Sequence, residues 1–348
     1  MDRPAGSGVR ITALGGGTGL SRLLRGLKVC SENVTAIVTT ADDGGSSGLL
    51  RNDLGIIPPG DIRSCILALA NTEPTMEQLI NYRFTEGSLA GQNFGNLFLA
   101  ALTGVSGSFE VAVRHLSDVL AVTGRVLPVS AEPSCLTAVF DNGAEVTGES
   151  CISGYKKAEK HRIRKIGLKR PVKATDDALE AIVDADLVVL GPGSLYTSVI
   201  PNLLIGGVAD ALKASRALRV YVCNIMTQFG ETEGYTCFDH AGEIIKHAGG
   251  PVIDACLVNT ASVPEDVLVR YANENAEAAD IDRGLFVKAG IELRERPLLF
   301  LKDGQVRHHP LRLAQSLMEL LTEKRPRAGL HGQADESLLV WLEETLDA

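Results

Sequence analysis

Short apolar runs rich in β-branched residues recur at Val9–Leu14, Val34–Thr39, Leu187–Leu190, Leu218–Cys223 and Ile253–Val258. Apolar positions at helical spacing fill most of the intervals, and this alternation predicts a mainly parallel sheet covered by helices. The spacing predicts helices over Leu20–Val29, Asp61–Ala70, Asn96–Leu102, Phe109–Val122, Ala178–Val183, Leu203–Ala214 and His240–Ala248, with Asp61 and Asp239 as N-caps. Between Arg125 and Lys173 the pattern shortens to Arg125–Val129, Cys135–Phe140 and Ala144–Thr147, and Asp141-Asn142-Gly143 gives a hairpin turn signal. That stretch reads as an inserted antiparallel segment. The expected fold class is α/β, a Rossmann-like doubly wound and mainly parallel sheet carrying this insert. Leu311–Leu321 reads as a closing helix, and residues 325–348 as a C-terminal tail with a short helix over Asp335–Leu346.

At 348 residues with 45% hydrophobic content, the chain can bury one large core or two modest ones. Because the αβ alternation resumes beyond the insert, one domain over residues 9–324 with an insert at about 125–173 is preferred to two domains. A formal net charge of −9 works against non-specific binding to nucleic acid or an anionic membrane, since both need a cationic field. Any anion has to be held by local geometry. Seven cysteines, widely spread and never paired as CxxC, predict reduced thiols in a cytosol rather than a disulfide framework or a zinc site. Met1–Gly8 lacks the apolar core of a signal peptide, and no apolar run approaches the roughly 20 residues that span a bilayer. A cytoplasmic protein is expected on these grounds.

Chemistry gathers where the expected parallel strands end, which is where open α/β sheets bind ligands. In Gly15-Gly16-Gly17-Thr18-Gly19 the missing side chains let backbone amides approach an anion, and the next helix adds its positive end. The string is no Walker A motif, and Leu20 stands where a dinucleotide fingerprint has its third glycine. A tight strand-to-helix turn is the plainer account; the other loops tip the balance toward binding. Gly191-Pro192-Gly193-Ser194 follows Leu187–Leu190 in the same way, and Thr197 and Ser198 add hydroxyls suited to a second anion or a sugar. It matches a hydrolase nucleophile elbow poorly, because Leu195 follows Ser194 and no histidine or acid is tied to it. Asn224 and Thr227 either complete a pocket floor or hydrogen-bond within their own loop.

Asp42 and Asp43 end the second apolar run, where related folds hold a ribose hydroxyl. The adjacent acids can equally hold Mg²⁺, or form a solvated Asp-Gly turn with the flanking Ser46 and Ser47. Arg51 and Arg63 share a loop stiffened by Pro58-Pro59 and are candidate phosphate clamps, or else partners of Asp53 and Asp61. In Gly91-Gln92-Asn93-Phe94-Gly95-Asn96, helix capping accounts for Asn96 and leaves Asn93 to read a base or a sugar edge. The basic residues between Lys156 and Lys173 read as a solvated face more readily than as a docking surface. The histidines, isolated apart from the adjacent His308-His309, indicate no metal site.

Taken together, Gly15–Gly19, Ala41–Gly48, Pro58–Arg63, Gly95-Asn96, Gly191–Pro201 and Asn224–Gly234 closely resemble the YvcK-like gluconeogenesis factor family, distant relatives of 2-phospho-L-lactate transferase (CofD). The likeness runs from about Val9 to Leu321. It implies a Rossmann-like sheet with an inserted segment, a homo-oligomer, and a cytoplasmic regulatory role in carbon metabolism, cell shape and cell-wall synthesis, with wall-synthesis proteins as partners. That role is exercised by binding UDP-sugars such as UDP-N-acetylglucosamine. By the same likeness Tyr271 would stack on base or sugar and Arg307 would contact the diphosphate, tasks that suit a tyrosine and an arginine. Gln92 and Phe229 depart from the resemblance, standing where this branch usually has histidine and proline. The branch has no established catalytic step and requires no cofactor. The transferase branch works on a guanosine diphosphate conjugate and a deazaflavin acceptor with Mg²⁺, and there Asp42 and Asp43 would be the metal-side acids. The preferred reading is a nucleotide-sugar-binding regulator; a Mg²⁺-dependent transferase of phosphorus-containing groups and a protein holding NAD in the crevice are the alternatives.

Overall fold

Two strands, β1 (Ile11–Gly15) and β2 (Val34–Val38), are buried at every residue, as mainly apolar strands covered on both faces must be. They lie inside a seven-stranded sheet in the computed structural model, which describes residues 8–159 and 161–324, with the backbone alone for 156–159. β3 (Arg125–Pro128) pairs with β2, and the chain then leaves for a three-stranded antiparallel sheet of β4 (Leu136–Phe140), β5 (Glu145–Thr147) and β6 (Ile163–Leu168). It returns as β7 (Leu187–Leu190), β8 (Leu218–Val222), β9 (Ala255–Asn259) and β10 (Glu292–Arg296), followed by a hairpin of β11 (Leu299–Lys302) and β12 (Gln305–His308). The central order is β10-β9-β8-β7-β1-β2-β3, with every pairing parallel. This is the α/β, Rossmann-like arrangement that the alternation predicts.

Strand order reverses at β1, because the chain moves from it to β2 on one side and later brings β7 to the other. Such a switch point opens a crevice at the carboxyl ends of the two strands. Alternate residues face opposite layers. Ile11 and Ala13 meet Leu20, Leu23, Leu24 and Leu27 of α1 (Gly17–Cys30), backed by Leu317 of the helix Pro310–Lys324. Leu14, Ile37, Val188 and Leu190 meet the other layer, which includes Phe140, Ile163 and Ile166 of the antiparallel sheet.

Several elements differ from the sequence pattern. The antiparallel segment is narrower than 125–173, because Arg125–Pro128 belongs to the central sheet. Its basic run contains β6, whose Ile163 and Ile166 are buried while Arg164 and Lys165 are exposed; the side chains of Lys156, Lys157 and Lys160 lie outside the described residues. The Asp141-Asn142-Gly143 turn does join β4 to β5, with Phe140 N donating to Ala144 O at 2.9 Å. The segment expected to begin the arginine loop is instead α2 (Gly45–Leu54), a helix whose glycines and serines read as turn residues. The next helix, α3 (Gly60–Leu69), has Pro59 at its N-cap, so Asp61 lies inside the first turn. Asp239 is likewise not the cap of Cys237–Ala248: Thr236 is, and Asp239 closes a reciprocal capping box three residues on. The expected Leu203–Ala214 helix is two pieces, Ile200–Leu203 and Val208–Ala214, with Gly207 between them at φ +98. The tail helix expected within 325–348 lies outside the described residues. Among the described residues no helix is long and apolar enough to cross a membrane.

Candidate functional site

The bend after β1 and the bend after β7 open into one cavity of about 560 Å³. Gly16, Gly17, Thr18 and Gly19 line it from the first bend, and Pro192, Gly193, Ser194, Thr197 and Ser198 from the second. Asn224 and Thr227 follow β8 into its wall, and Tyr271 and Arg307 reach it from the far end of the chain. Gly17 has φ +63, a left-handed conformation that glycine adopts without penalty; Gly16 at the N-cap of α1 has no side chain to cap it, and Asp61, from α3, accepts the Gly17 N–H. The remaining amides of that first turn, with the helix dipole, suit an anion. Gly19 permits the second bend to come close, since a Cβ there would lie 2.3 Å from the Pro192 carbonyl oxygen.

The bend after β7 is braced by the loop after β8. Ser194 Oγ donates to Gln228 Oε1 at 2.9 Å, and Asn224 Nδ2 donates to Gly193 O at 2.9 Å. Thr227 Oγ1 accepts from Glu277 N at 2.9 Å. A single π-type turn over Leu195–Val199 carries Thr197 and Ser198, an irregularity often found at binding sites. Tyr271 lies on the helix Glu265–Asn273, and its hydroxyl accepts from Val306 N at 2.9 Å, which fixes the ring against β12. Arg307 donates to Val306 O at 3.2 Å and to Gln305 Oε1. Its neighbour His308 is buried; burial lowers its pKa to about 4, and the neutral ring donates from Nε2 to Cys223 O at 3.1 Å. That bond ties the hairpin to the end of β8.

The other residues singled out in the sequence do not line this cavity. Gly15 O accepts from Thr39 N at 3.0 Å, and Gly191 N donates to Leu14 O at 2.9 Å, so both glycines belong to strand ends. Ser46 Oγ donates to Gln92 Oε1 at 2.7 Å and accepts from Asn96 Nδ2 at 3.2 Å, while Ser47 Oγ accepts from Gly60 N at 3.1 Å. The roles of the two asparagines are reversed: Asn93 caps the helix Phe94–Ser106, accepting from Asn96 N at 3.0 Å, and its Nδ2 donates to the carbonyls of Asn81 and Tyr82. Arg51 donates to the carbonyls of Asp42 and Ser134, and Arg63 to Ile80 O and Asn81 Oδ1. Both arginines brace loops instead of facing the cavity.

Asp43 is also a cap. Its Oδ2 and Oδ1 accept from Glu149 N at 2.9 Å and Ser150 N at 2.8 Å, at the start of the helix Glu149–Glu159. Asp43→Ala is therefore expected to lower the unfolding free energy by about 1–2 kcal/mol in urea titrations, and an unchanged midpoint would refute the capping role. Asp42 Oδ1 accepts from Gly44 N at 2.9 Å, and its acidic neighbour is Asp61. A Cβ on Gly16 would lie 2.6 Å from Asp61 Oδ2, which puts this carboxyl directly behind the glycine loop. Burial, and next the charge of Asp42, raise its pKa from 3.8 to about 6. Magnesium requires open carboxylate oxygens on the ligand side. Those of Asp43 are taken by helix amides, and neither Asp42 nor Asp61 lines the cavity, so Asp42 and Asp43 do not fit as a joint metal site.

Sequence reasoning passed over Arg22, Gln228 and His308 at the cavity and Asp61 behind it. Helical spacing does signal Arg22, which follows Thr18 by one turn and so shares its face. Nothing local distinguishes His308, whose surroundings come from β8, far away in sequence.

A family model described as 2-phospho-L-lactate transferase CofD matches residues 11–299. A protein of Thermoanaerobacterium thermosulfurigenes is 50% identical over 316 residues, covering 90% of this chain and 98% of its own. The gluconeogenesis factor of Bacillus subtilis is 42% identical over 316 residues, again 90% of this chain and 98% of its own. A crystal structure of a Bacillus halodurans protein superposes with a TM-score of 0.85 at 42% identity, covering 89% of this chain and 99% of that one. By the extent of these matches, the chain belongs to the CofD family, among its gluconeogenesis factors.

Proposed function

We propose that the cavity binds a nucleotide-sugar of the UDP-N-acetylglucosamine type, and that its occupancy lets the protein regulate carbon metabolism, cell shape and wall synthesis from the cytoplasm. One observation carries the reading: two glycine-bearing bends, the start of α1, a tyrosine ring and an arginine converge on about 560 Å³. That volume falls within the roughly 300–1,000 Å³ of small-molecule sites. A diphosphate is the group that suits backbone amides and a guanidinium together, and the fixed ring of Tyr271 suits a base or a sugar. The CofD likeness favours a nucleotide-type ligand, and the metabolic part of the reading follows the relatives' name. His308 is neutral and spends its Nε2 proton on the Cys223 carbonyl, so it serves to hold the hairpin against the cavity. A homo-oligomer with wall-synthesis partners completes the proposal. Calorimetry with UDP-N-acetylglucosamine is expected to give saturable heat, with NADH as the competing ligand class. No heat at millimolar nucleotide-sugar would overturn the reading.

A further inference from the structure

Arg22 is the cation of the cavity that neither the sequence motifs nor the fold requires. It sits on α1, half-buried, with its side chain at the cavity wall. Among the described residues its Nε is buried without a hydrogen-bond partner. Arg307 is close enough to act on it: after burial, the Arg307 charge is the largest influence that disfavours the protonated Arg22, and only Asp303 counters it. Two guanidiniums that line one cavity and act on each other through their charges, one with a buried donor left over, form an arrangement that an anion between them would relieve.

We infer that Arg22 is a phosphate-binding residue that acts jointly with Arg307 on the second phosphate of a diphosphate bridge. The inference rests on the nucleotide-sugar reading for the identity of the ligand, but not for its anionic group. Side chains on a helix lean toward its N-terminus, so the guanidinium of Arg22 lies over the turn that contains Thr18. One phosphate at the amides of the α1 start thus leaves its neighbour in the bridge beside Arg22. A guanidinium fork fits such a group in two-point fashion, which an ammonium cannot reproduce. The site should therefore count phosphates, favouring a diphosphate conjugate over a monophosphate.

Titration calorimetry of the full chain and of Arg22→Gln and Arg22→Lys, with UDP-N-acetylglucosamine, UMP and inorganic pyrophosphate, tests this. Arg22→Gln is expected to weaken UDP-N-acetylglucosamine and pyrophosphate by roughly 10- to 100-fold, with Arg22→Lys in between. UMP affinity should move less than about threefold, because its phosphate stays on the helix amides. Thermal melts that match the parent protein are expected, since the Nε of Arg22 makes no bond that the fold depends on. Parent-like binding of both diphosphate probes by Arg22→Gln would overturn the inference and leave the nucleotide-sugar reading standing. Arg22-dependent binding of pyrophosphate without binding of UDP-N-acetylglucosamine would do the reverse. A parent protein that binds neither probe overturns both.

Discussion

Gly19→Ala is expected to weaken binding of UDP-N-acetylglucosamine by roughly 100-fold and to lower stability by about 2–3 kcal/mol. The added methyl would stand 2.3 Å from the carbonyl oxygen and 2.7 Å from the carbonyl carbon of Pro192, and 3.1 Å from Gly193 Cα. All three are backbone atoms, so no rotamer change relieves the clash. The start of α1 has to back away from the second bend, and the distance between them is what defines the cavity. Calorimetry reads the loss of affinity and urea unfolding the loss of stability. Gly104→Ala is the matched control, because it lies in the helix Phe94–Ser106 with nothing within 4 Å of the new atom. The control should gain a few tenths of a kcal/mol or more from reduced freedom of the unfolded chain, about 0.4–1 kcal/mol. Unaltered affinity in Gly19→Ala would mean that the two bends do not act on one ligand.

Asp61→Asn is expected to stabilise the protein above neutral pH and to leave it unchanged near pH 4. Burial, then Asp42, holds the folded-state pKa near 6 against an ordinary 3.8, while the Gly17 N–H and Arg63 pull the other way. A raised carboxyl pKa means that the folded state binds the proton more tightly than the unfolded one. The contribution of this carboxyl to stability is therefore greatest below about pH 4, declines as the pH rises toward 6, and is flat above that. The full difference corresponds to roughly 3 kcal/mol; some contact of Asp61 with solvent puts the expected gain nearer about 2 kcal/mol at pH 8. The amide keeps an oxygen for the Gly17 N–H, so the gain comes from removing the charge alone. Urea unfolding from pH 4 to pH 8, with a chelator present, distinguishes the outcomes: the curves of parent and variant should diverge with rising pH, and parallel curves would contradict the argument.

The parts of the fold that were legible in sequence are those in which burial alone decides. β1, β2, β7, β8 and β9 are mainly apolar runs, broken only by Thr12, Thr35, Arg219 and Asn259, because both of their faces are covered. β10 was not legible: Glu292-Leu293-Arg294-Glu295-Arg296 is a half-exposed edge strand, held by ion pairs from Arg294 to Glu323 and from Arg296 to Glu319, across to the last helix. Such partners cannot be read from local pattern. α2 was hidden by its Gly45-Ser46-Ser47-Gly48 start, where tertiary contacts override weak helix propensity. At the site, glycine-rich strings marked both bends correctly as neighbours of one cavity, since their meaning is conformational and local. Asn93 against Asn96, and Thr236 against Asp239, cannot be told apart by pattern, because each of these caps offers two polar residues three positions apart. The arginines show the same limit: Arg51 and Arg63 looked like clamps from their loop, and their acceptors are carbonyls contributed from elsewhere in the fold.

The cavity joins Gly16, near the start of the sheet, to Arg307, which follows its final strand. During synthesis β1 leaves the ribosome early and cannot settle between its neighbours until β7 has been made, because the switch at β1 joins strands distant in sequence. The β11–β12 hairpin emerges later still, and its docking through His308 onto Cys223 O adds the last wall. A nascent chain halted before that hairpin would carry both glycine bends without Val306, Arg307 and His308, so the cavity would stand open on that side. The cavity is therefore closed only by the last strands to be made, and its completion marks the end of synthesis of the sheet and hairpin.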